Sequence, residues 1–362
     1  MLKNLVLSGG AIKGFSFIGV LRFLEENKVI EYFETFVGSS AGSLICFLVC
    51  MGFSTYLIES HCLKILHLYL KEPIDLNFIL SLNETLGVDD GIIISNYLAD
   101  LCFERFGMRD ISFLEFSKKT GYNFVVCASN LSTREPKYFC VDATPHVNVL
   151  DAIRASITIP FVFTPKIIDH EIYVDAGIFN NFPVDFIENF VLKDTLGVII
   201  KSKPYCPPKP LNLLSYFRLM IDSMLDRINI KEGFMNKIHV VEVDGRDEEI
   251  MDFDFNTMKL NVDVDKVKKY IKTGYESIDH SDVKKSFTKG YLTPHNHPNS
   301  ALENIDQDGN KNIKKEIELE KNLKDRDFSW VQSSVLLPSH SYQLNSKLWD
   351  IFDVGSKIDE LN

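Results

Sequence analysis

One stretch constrains this chain more than any other: Phe36-Val37-Gly38-Ser39-Ser40-Ala41-Gly42-Ser43-Leu44. A largely apolar run, residues 33–37, enters it, and a second, residues 44–53, leaves it. Between them, Gly38-x-Ser40-x-Gly42 has the spacing of a nucleophile elbow, a sharp turn from strand to helix. The backbone folds tightly on itself there, so a side chain at either flanking glycine would clash. The turn lifts Ser40 above the sheet edge. Its hydroxyl then stands at a helix N-terminus, where backbone N–H groups and the helix dipole favour developing negative charge. The same spacing occurs in ordinary loops of small residues. The strand-like and helix-like flanks favour the catalytic reading.

The rest of the chain has room for that arrangement. Its 362 residues suit one large α/β domain with additions, or two domains. A 45% hydrophobic content supports a buried core. The net charge of −11 argues against a nucleic-acid partner, because phosphate-backbone binding runs on basic patches. A local apolar surface can still meet a membrane transiently. The seven cysteines are odd in number, sit mostly in apolar runs and include no Cys-x-x-Cys pair, so they read as buried thiols in a reducing compartment. Only three apolar residues follow Met1-Leu2-Lys3-Asn4 before glycines begin, too few for a secretory signal. The longest apolar run has about half the length of a membrane span. The expectation is a cytoplasmic protein, peripheral to membranes where it meets them.

In chain order, residues 5–7 read as a buried strand. Ser8-Gly9-Gly10-Ala11-Ile12-Lys13-Gly14 reads as a glycine-rich loop, and residues 15–27 as a helix. Such a loop can cradle an anion. The nucleotide version fits poorly: Lys13-Gly14 is in the wrong order for a P-loop, Ala11 stands where the Rossmann fingerprint needs glycine, and Glu34 is badly placed for its acid. An oxyanion hole converging on the elbow fits better. Helices are expected over 41–52, 55–70, 91–106 (capped by Asp89-Asp90), 149–156 and 262–277, with an apolar-faced segment over 211–230. Strands are expected over 33–37, 122–128, 137–141, 195–201 and 238–243, with a hairpin over 165–174 turning at Asp169-His170-Glu171. Residues 73–87 read as irregular, and 54–120 as a possible cap over the site. His61 and His67, one helix away from Ser40, read as structural or solvent-facing and not catalytic. The alternation of strands and helices argues a mostly parallel sheet with helices on both faces. The polar composition after about residue 285 sets the expected domains: a catalytic domain over 1–288, a flexible polar linker over 289–327, and a C-terminal segment over 328–362.

A serine nucleophile needs a proton acceptor. His239, His280, His295 and His297 satisfy the serine–acid–histidine order of an α/β-hydrolase, but none follows a late strand in a short loop. Asp175 ends a strand and begins the turn Asp175-Ala176-Gly177, ahead of Phe179-Asn180-Asn181-Phe182-Pro183. A carboxylate held there beside Ser40 can orient its hydroxyl and take its proton. The triplet alone is equally a plain turn.

Together, the loop at Gly9–Gly14, the elbow at Gly38–Gly42 and the triplet Asp175-Ala176-Gly177 resemble the patatin-like phospholipase family. Ser129-Asn130-Leu131, Ala155-Ser156 through Ile159-Pro160-Phe161 with Pro165, and Asn180-Asn181 with Pro183 are similar to it as well. The resemblance covers about residues 3–285. It implies a three-layer α/β/α fold with a mostly parallel central sheet. It also implies a Ser40–Asp175 dyad without histidine and an oxyanion hole from the N–H groups of Gly9, Gly10, Ala11 and Ile12. Gly14, Gly38, Gly42 and Gly177 are motif positions, and Lys13 stands where the family often has arginine. Two positions depart from the pattern: Ala11 replaces a glycine but keeps its N–H, and Ala176 replaces the glycine after the aspartate. The implied activity is hydrolysis of phospholipid or other lipid esters through an acyl-enzyme, with no metal or cofactor. Phospholipase, lysophospholipase and triacylglycerol lipase activity are not separated, and the oligomeric state is open. Two alternatives stand beside it: a lipid-binding or interaction protein that keeps the fold without turnover, and a Ser–His–Asp esterase with His239 as base.

Overall fold

The computed structural model describes residues 2–70, 84–189, 192–201, 236–245, 251–254, 259–262 and 264–281, with single positions at 216, 219, 220, 223 and 283. The proline-rich break at 204–210, most of the 211–230 segment, Cys206, and the expected linker and C-terminal segment lie outside the described residues.

The fold is α/β/α, built on a mostly parallel sheet. Its strands in chain order are β1 (Asn4–Leu7), β2 (Thr35–Ser39), β4 (Asn123–Asn130), β5 (Glu135–Phe139), β7 (Lys166–Ile168), β8 (Glu171–Val174), β9 (Thr195–Lys201) and β10 (His239–Asp244). Across the sheet the order is β10-β9-β1-β2-β4-β8-β7, with β5 also on β4. The run from β10 to β4 is parallel throughout. β5 and β8 join antiparallel to β4, and β7 antiparallel to β8. Two small sheets stand apart: β3 (Gly87–Asp89) beside β6 (Phe161–Phe163), and the hairpin of β11 (Met251–Asp254) and β12 (Lys259–Val262).

The central strands are buried on both faces, which is why they read as continuous apolar runs. Leu5, Leu7, Phe36, Phe124, Val126, Leu196, Val198 and Ile200 point to one face. Val6, Val37, Val125 and Ile199 point to the other. On the first face lie α1 (Phe15–Glu26), α2 (Ala41–Cys50), α3 (Thr55–Leu70), α4 (Ile92–Phe106), α5 (Phe113–Thr120), α6 (Val149–Ser156) and α7 (Val264–Asp279), each giving side chains to one core. Among the described residues, the second face is covered by Phe182 and the 3-10 helix Val184–Asn189.

α1 and α7 cross backbone to backbone. A Cβ on Gly19 would stand 1.8 Å from Ile271 O, and one on Gly274 would stand 1.9 Å from Ser16 O. The 54–120 stretch does not form a separate cap. Ile58, Cys62, Leu98, Leu101, Phe113 and Phe116 belong to the main core. Residues 71–83 of that stretch lie outside the described residues. The six described cysteines are free and buried. No helix among the described residues is long and apolar enough to cross a membrane.

Candidate active site

The site forms where one edge of β4 changes partner. β5 runs along one edge of β4 and pairs with Val126 to Asn130. On the opposite edge, β2 pairs in parallel as far as Ser39 with Cys127. Two residues further on, β8 takes over that edge, pairing antiparallel at Ser129 with Val174. β2 thus ends, and β8 arrives from the other direction, at the row of Ala128. The next residue of each is Ser40 and Asp175. Strand register brings them together, and Ser40 Oγ donates to Asp175 Oδ2 at 2.6 Å.

Ser40 opens α2 with φ 49° and ψ −123°. A residue other than glycine holds such a backbone only when its surroundings over-determine it. Here they do. The Ser40 carbonyl accepts the Ser43 N–H at 2.9 Å and the Ser43 hydroxyl at 2.7 Å. The Ser40 N–H donates to Ser156 Oγ at 2.9 Å. The flanking glycines are required by contact: a Cβ on Gly38 would stand 2.4 Å from Ser43 N, and one on Gly42 would stand 2.5 Å from Ser8 O. Ser40 is 6% exposed.

Asp175 is fully buried. Burial pushes its carboxyl up to about 6, while the Ser40 hydroxyl and the Gly177 N–H pull the other way. Gly177 N–H reaches Oδ1 at 2.8 Å. The Asp175 N–H donates to Thr158 O at 2.7 Å. The end of α6 and the residues just after it therefore hold both members of the pair, Ser40 through Ser156 and Asp175 through Thr158. Arg154, buried one turn earlier, donates to Thr158 Oγ1 at 2.6 Å and fixes that segment. Sequence reasoning marked Ser156 only as part of a resemblance and assigned Arg154 and Thr158 no role. Ala176 adopts the first position of the 3-10 helix Ala176–Ile178 without a left-handed backbone, so its methyl fits the turn.

The glycine-rich loop lies against the elbow. A Cβ on Gly9 would meet Ser40 Cβ at 3.2 Å, and one on Gly14 would meet Ala41 Cβ at 2.8 Å. Gly9 departs from its expected role: its N–H is committed to Asn181 O at 2.8 Å and does not point to an oxyanion. Gly10, Ala11 and Ile12 open the one-turn helix Ala11–Gly14. The first N–H groups of a helix have no acceptor within it and are available to an anion. Lys13 and Gly14 close that turn. Asn180 and Asn181 lace the loop to the sheet. Ser39 Oγ donates to Asn180 O at 2.9 Å, and the Asn180 amide donates to Tyr138 Oη at 2.8 Å and Asp185 Oδ1 at 2.6 Å.

Among the described residues, no histidine bonds either member of the pair. His239 is the first residue of β10, so it stands at the opposite end of the parallel strands from Ser40 and three strands across. His61 bonds Tyr97 Oη at 2.7 Å within the helical layer, where burial and Lys64 hold its imidazole down at about 4. His295 and His297 lie outside the described residues.

Comparison with known proteins finds relatives by sequence and by fold. A protein of Invertebrate iridescent virus 6 called a probable lipid hydrolase is 33% identical over 183 residues, covering 51% of this chain and 62% of that protein, less than two thirds of its length. An uncharacterised protein of Acanthamoeba polyphaga mimivirus is 23% identical over 291 residues, covering 78% of this chain and 94% of the relative. Among solved structures, VipD from Legionella pneumophila overlays with a TM-score of 0.47 at 15% identity, covering 76% of this chain and 66% of VipD. The model of the patatin-like phospholipases matches residues 5–187, just over half of the sequence, and the chain belongs to that family.

Proposed function

We propose that the protein hydrolyses carboxylic esters of membrane lipids, with Ser40 as nucleophile and Asp175 as its base. One observation carries this reading: the 2.6 Å bond from Ser40 Oγ to a fully buried Asp175, at an elbow that holds Ser40 in a strained backbone. A surface turn would need neither the strain nor the buried carboxylate.

The reaction runs in two halves. Ser40 Oγ attacks the ester carbonyl carbon while its proton passes to Asp175. The carbonyl oxygen becomes an oxyanion facing the N–H groups of Gly10, Ala11 and Ile12. Collapse breaks the bond to the alcohol oxygen, which takes the proton from Asp175 and leaves. The acyl group now sits on Ser40. Water attacks it, gives a proton to Asp175, and the second collapse returns that proton to Ser40 and releases the fatty acid. A base poised near the working pH combines correct ionisation with proton affinity, and burial moves Asp175 in that direction. The Ser40 N–H is engaged by Ser156 and Gly9 by Asn181, so oxyanion stabilisation falls to the exposed turn of the loop.

The test is labelling with a fluorophosphonate, which reacts with activated serines. A label mapped to the peptide containing Ser40, absent in Ser40→Ala and strongly reduced in Asp175→Asn, is expected. No label on the folded wild-type protein overturns the hydrolase reading and leaves a patatin-fold protein that binds lipid without turnover.

A further inference from the structure

The small β3–β6 sheet and the start of α4 form one module rooted at the site. Gly87 pairs with Phe161 and Asp89 with Phe163. Thr164 closes the module twice, its N–H on Asp89 O and its hydroxyl on Thr85 O, both at 2.9 Å. Arg154 runs through its interior, donating to Asp90 O at 3.0 Å, with its guanidinium carbon 4.3 Å from the centre of the Phe163 ring. The root is the segment that holds Ser40 and Asp175 through Ser156 and Thr158. Phe161 follows Ser156 by five residues, so their Cα atoms are at most roughly 19 Å apart.

Four large apolar side chains of this module are exposed. Leu86 is 55% exposed, Ile92 54%, Ile93 47% and Phe161 41%. Two of these four also carry left-handed backbones, Leu86 at φ 57° and Phe161 at φ 67°. Bulky side chains rarely adopt that conformation, and such outliers gather where a ligand is met. The charged residues next to them in sequence, Glu84, Asp89 and Asp90, are acidic, and Arg154, which lies against the module, is buried. An anionic surface would be repelled there, and an uncharged apolar one would not.

We propose that this module docks the protein on a zwitterionic lipid surface, with Leu86, Ile92 and Ile93 entering the apolar layer close to the Ser40 site. The proposal rests on the hydrolase reading only for why a lipid surface is needed near that site. A second copy of the chain fits less well. Four partly exposed side chains fall far short of the roughly 800 Å² per partner that a stable protein interface uses, whereas each can enter a lipid layer independently.

The test is co-sedimentation of the full chain with phosphatidylcholine vesicles, comparing wild type with the triple variant Leu86→Asn, Ile92→Gln, Ile93→Gln. Asparagine tolerates a left-handed backbone and glutamine suits a helix, so the variant keeps its fold, checked by its thermal midpoint. Vesicle partitioning is expected to fall by about tenfold or more. Hydrolysis of a short butyrate ester in solution is expected to stay unchanged. Raising salt from about 0.1 to about 0.5 M should not weaken wild-type binding, because screening acts on charge and not on apolar insertion. Equal partitioning of variant and wild type overturns the proposal. So does binding that needs phosphatidylserine and disappears in salt, or self-association that the variant abolishes without any vesicle binding. Failure of the two readings is separable. A wild type that binds vesicles through this module but turns over no ester refutes the hydrolase and keeps the docking surface. A wild type that turns over ester while the variant still binds refutes the docking surface alone.

Discussion

The elbow and the glycine-rich loop each hold a residue other than glycine in the left-handed region, Ser40 at φ 49° and Ala11 at φ 44°. Their settings differ. Ser40 is buried, its N–H and carbonyl are both bonded, and glycines on either side are packed against backbone. Ala11 is exposed, on a one-turn helix. Strain at Ser40 is thus held by everything around it and serves to present a hydroxyl. Strain at Ala11 comes from a methyl group that the loop does not use.

This contrast can be broken at its strong end first. Ser40→Ala should lower ester turnover on the order of 10⁴-fold or more, and Asp175→Asn by about 10³–10⁴-fold. Steady-state kinetics on a soluble ester check both, with circular dichroism showing retained fold. Turnover near wild type in either variant would remove the dyad. Gly42→Ala tests the packing that holds the elbow. Its Cβ would press on the carbonyls of Leu7 and Ser8, costing about 3 kcal/mol in a urea titration.

Asp175→Asn should separate activity from stability. Burial holds this carboxyl at about 6 against an ordinary 3.8. The two-unit difference corresponds to about 3 kcal/mol at most, lost by the folded chain when the group ionises. The folded value is the higher one, so the penalty is absent below about pH 4, grows between about pH 4 and 6, and is complete above. The asparagine variant should melt higher than wild type near about pH 8 and at the same temperature near about pH 4. Wild-type kcat/KM should rise through about pH 6 as the carboxylate forms. At the weak end, Ala11→Gly should stabilise the fold by about 0.5–1 kcal/mol, the relief of a left-handed alanine partly offset by glycine's greater freedom when unfolded. A destabilised Ala11→Gly protein would mean that the methyl is used after all.

Much of the core was legible because central parallel strands are apolar on both faces. The runs at 5–7 and 195–201 declare themselves. The elbow was legible because its two glycines are sterically obligatory. Spatial order was not: β9 lies beside β1 although some 190 residues separate their partners, and only that order shows that His239 is at the wrong end of the sheet. α5 went unread although Ser112 and Glu115 form a capping box visible in sequence. The strands of the β3–β6 sheet are three residues each and exist only through their partner. Arg154 reads as an ordinary helix residue, and its place between the β3–β6 module and the Asp175 anchor arises from tertiary packing. The commitment of the Gly9 N–H to Asn181 is likewise invisible without the loop that delivers Asn181.

The exchange of β2 for β8 along one edge of β4 has a consequence for how this architecture can change. Ser40 and Asp175 are 135 residues apart in the chain, yet the gap between them is gauged by two rungs of one neighbouring strand. Segments inserted in the loops between the elbow and the hairpin need not disturb that gauge, provided β2 and β8 keep their places on β4 and Ser156 and Thr158 keep their bonds. The loops between these elements can therefore lengthen, shorten or acquire new surfaces over generations while the reacting pair stays where it is.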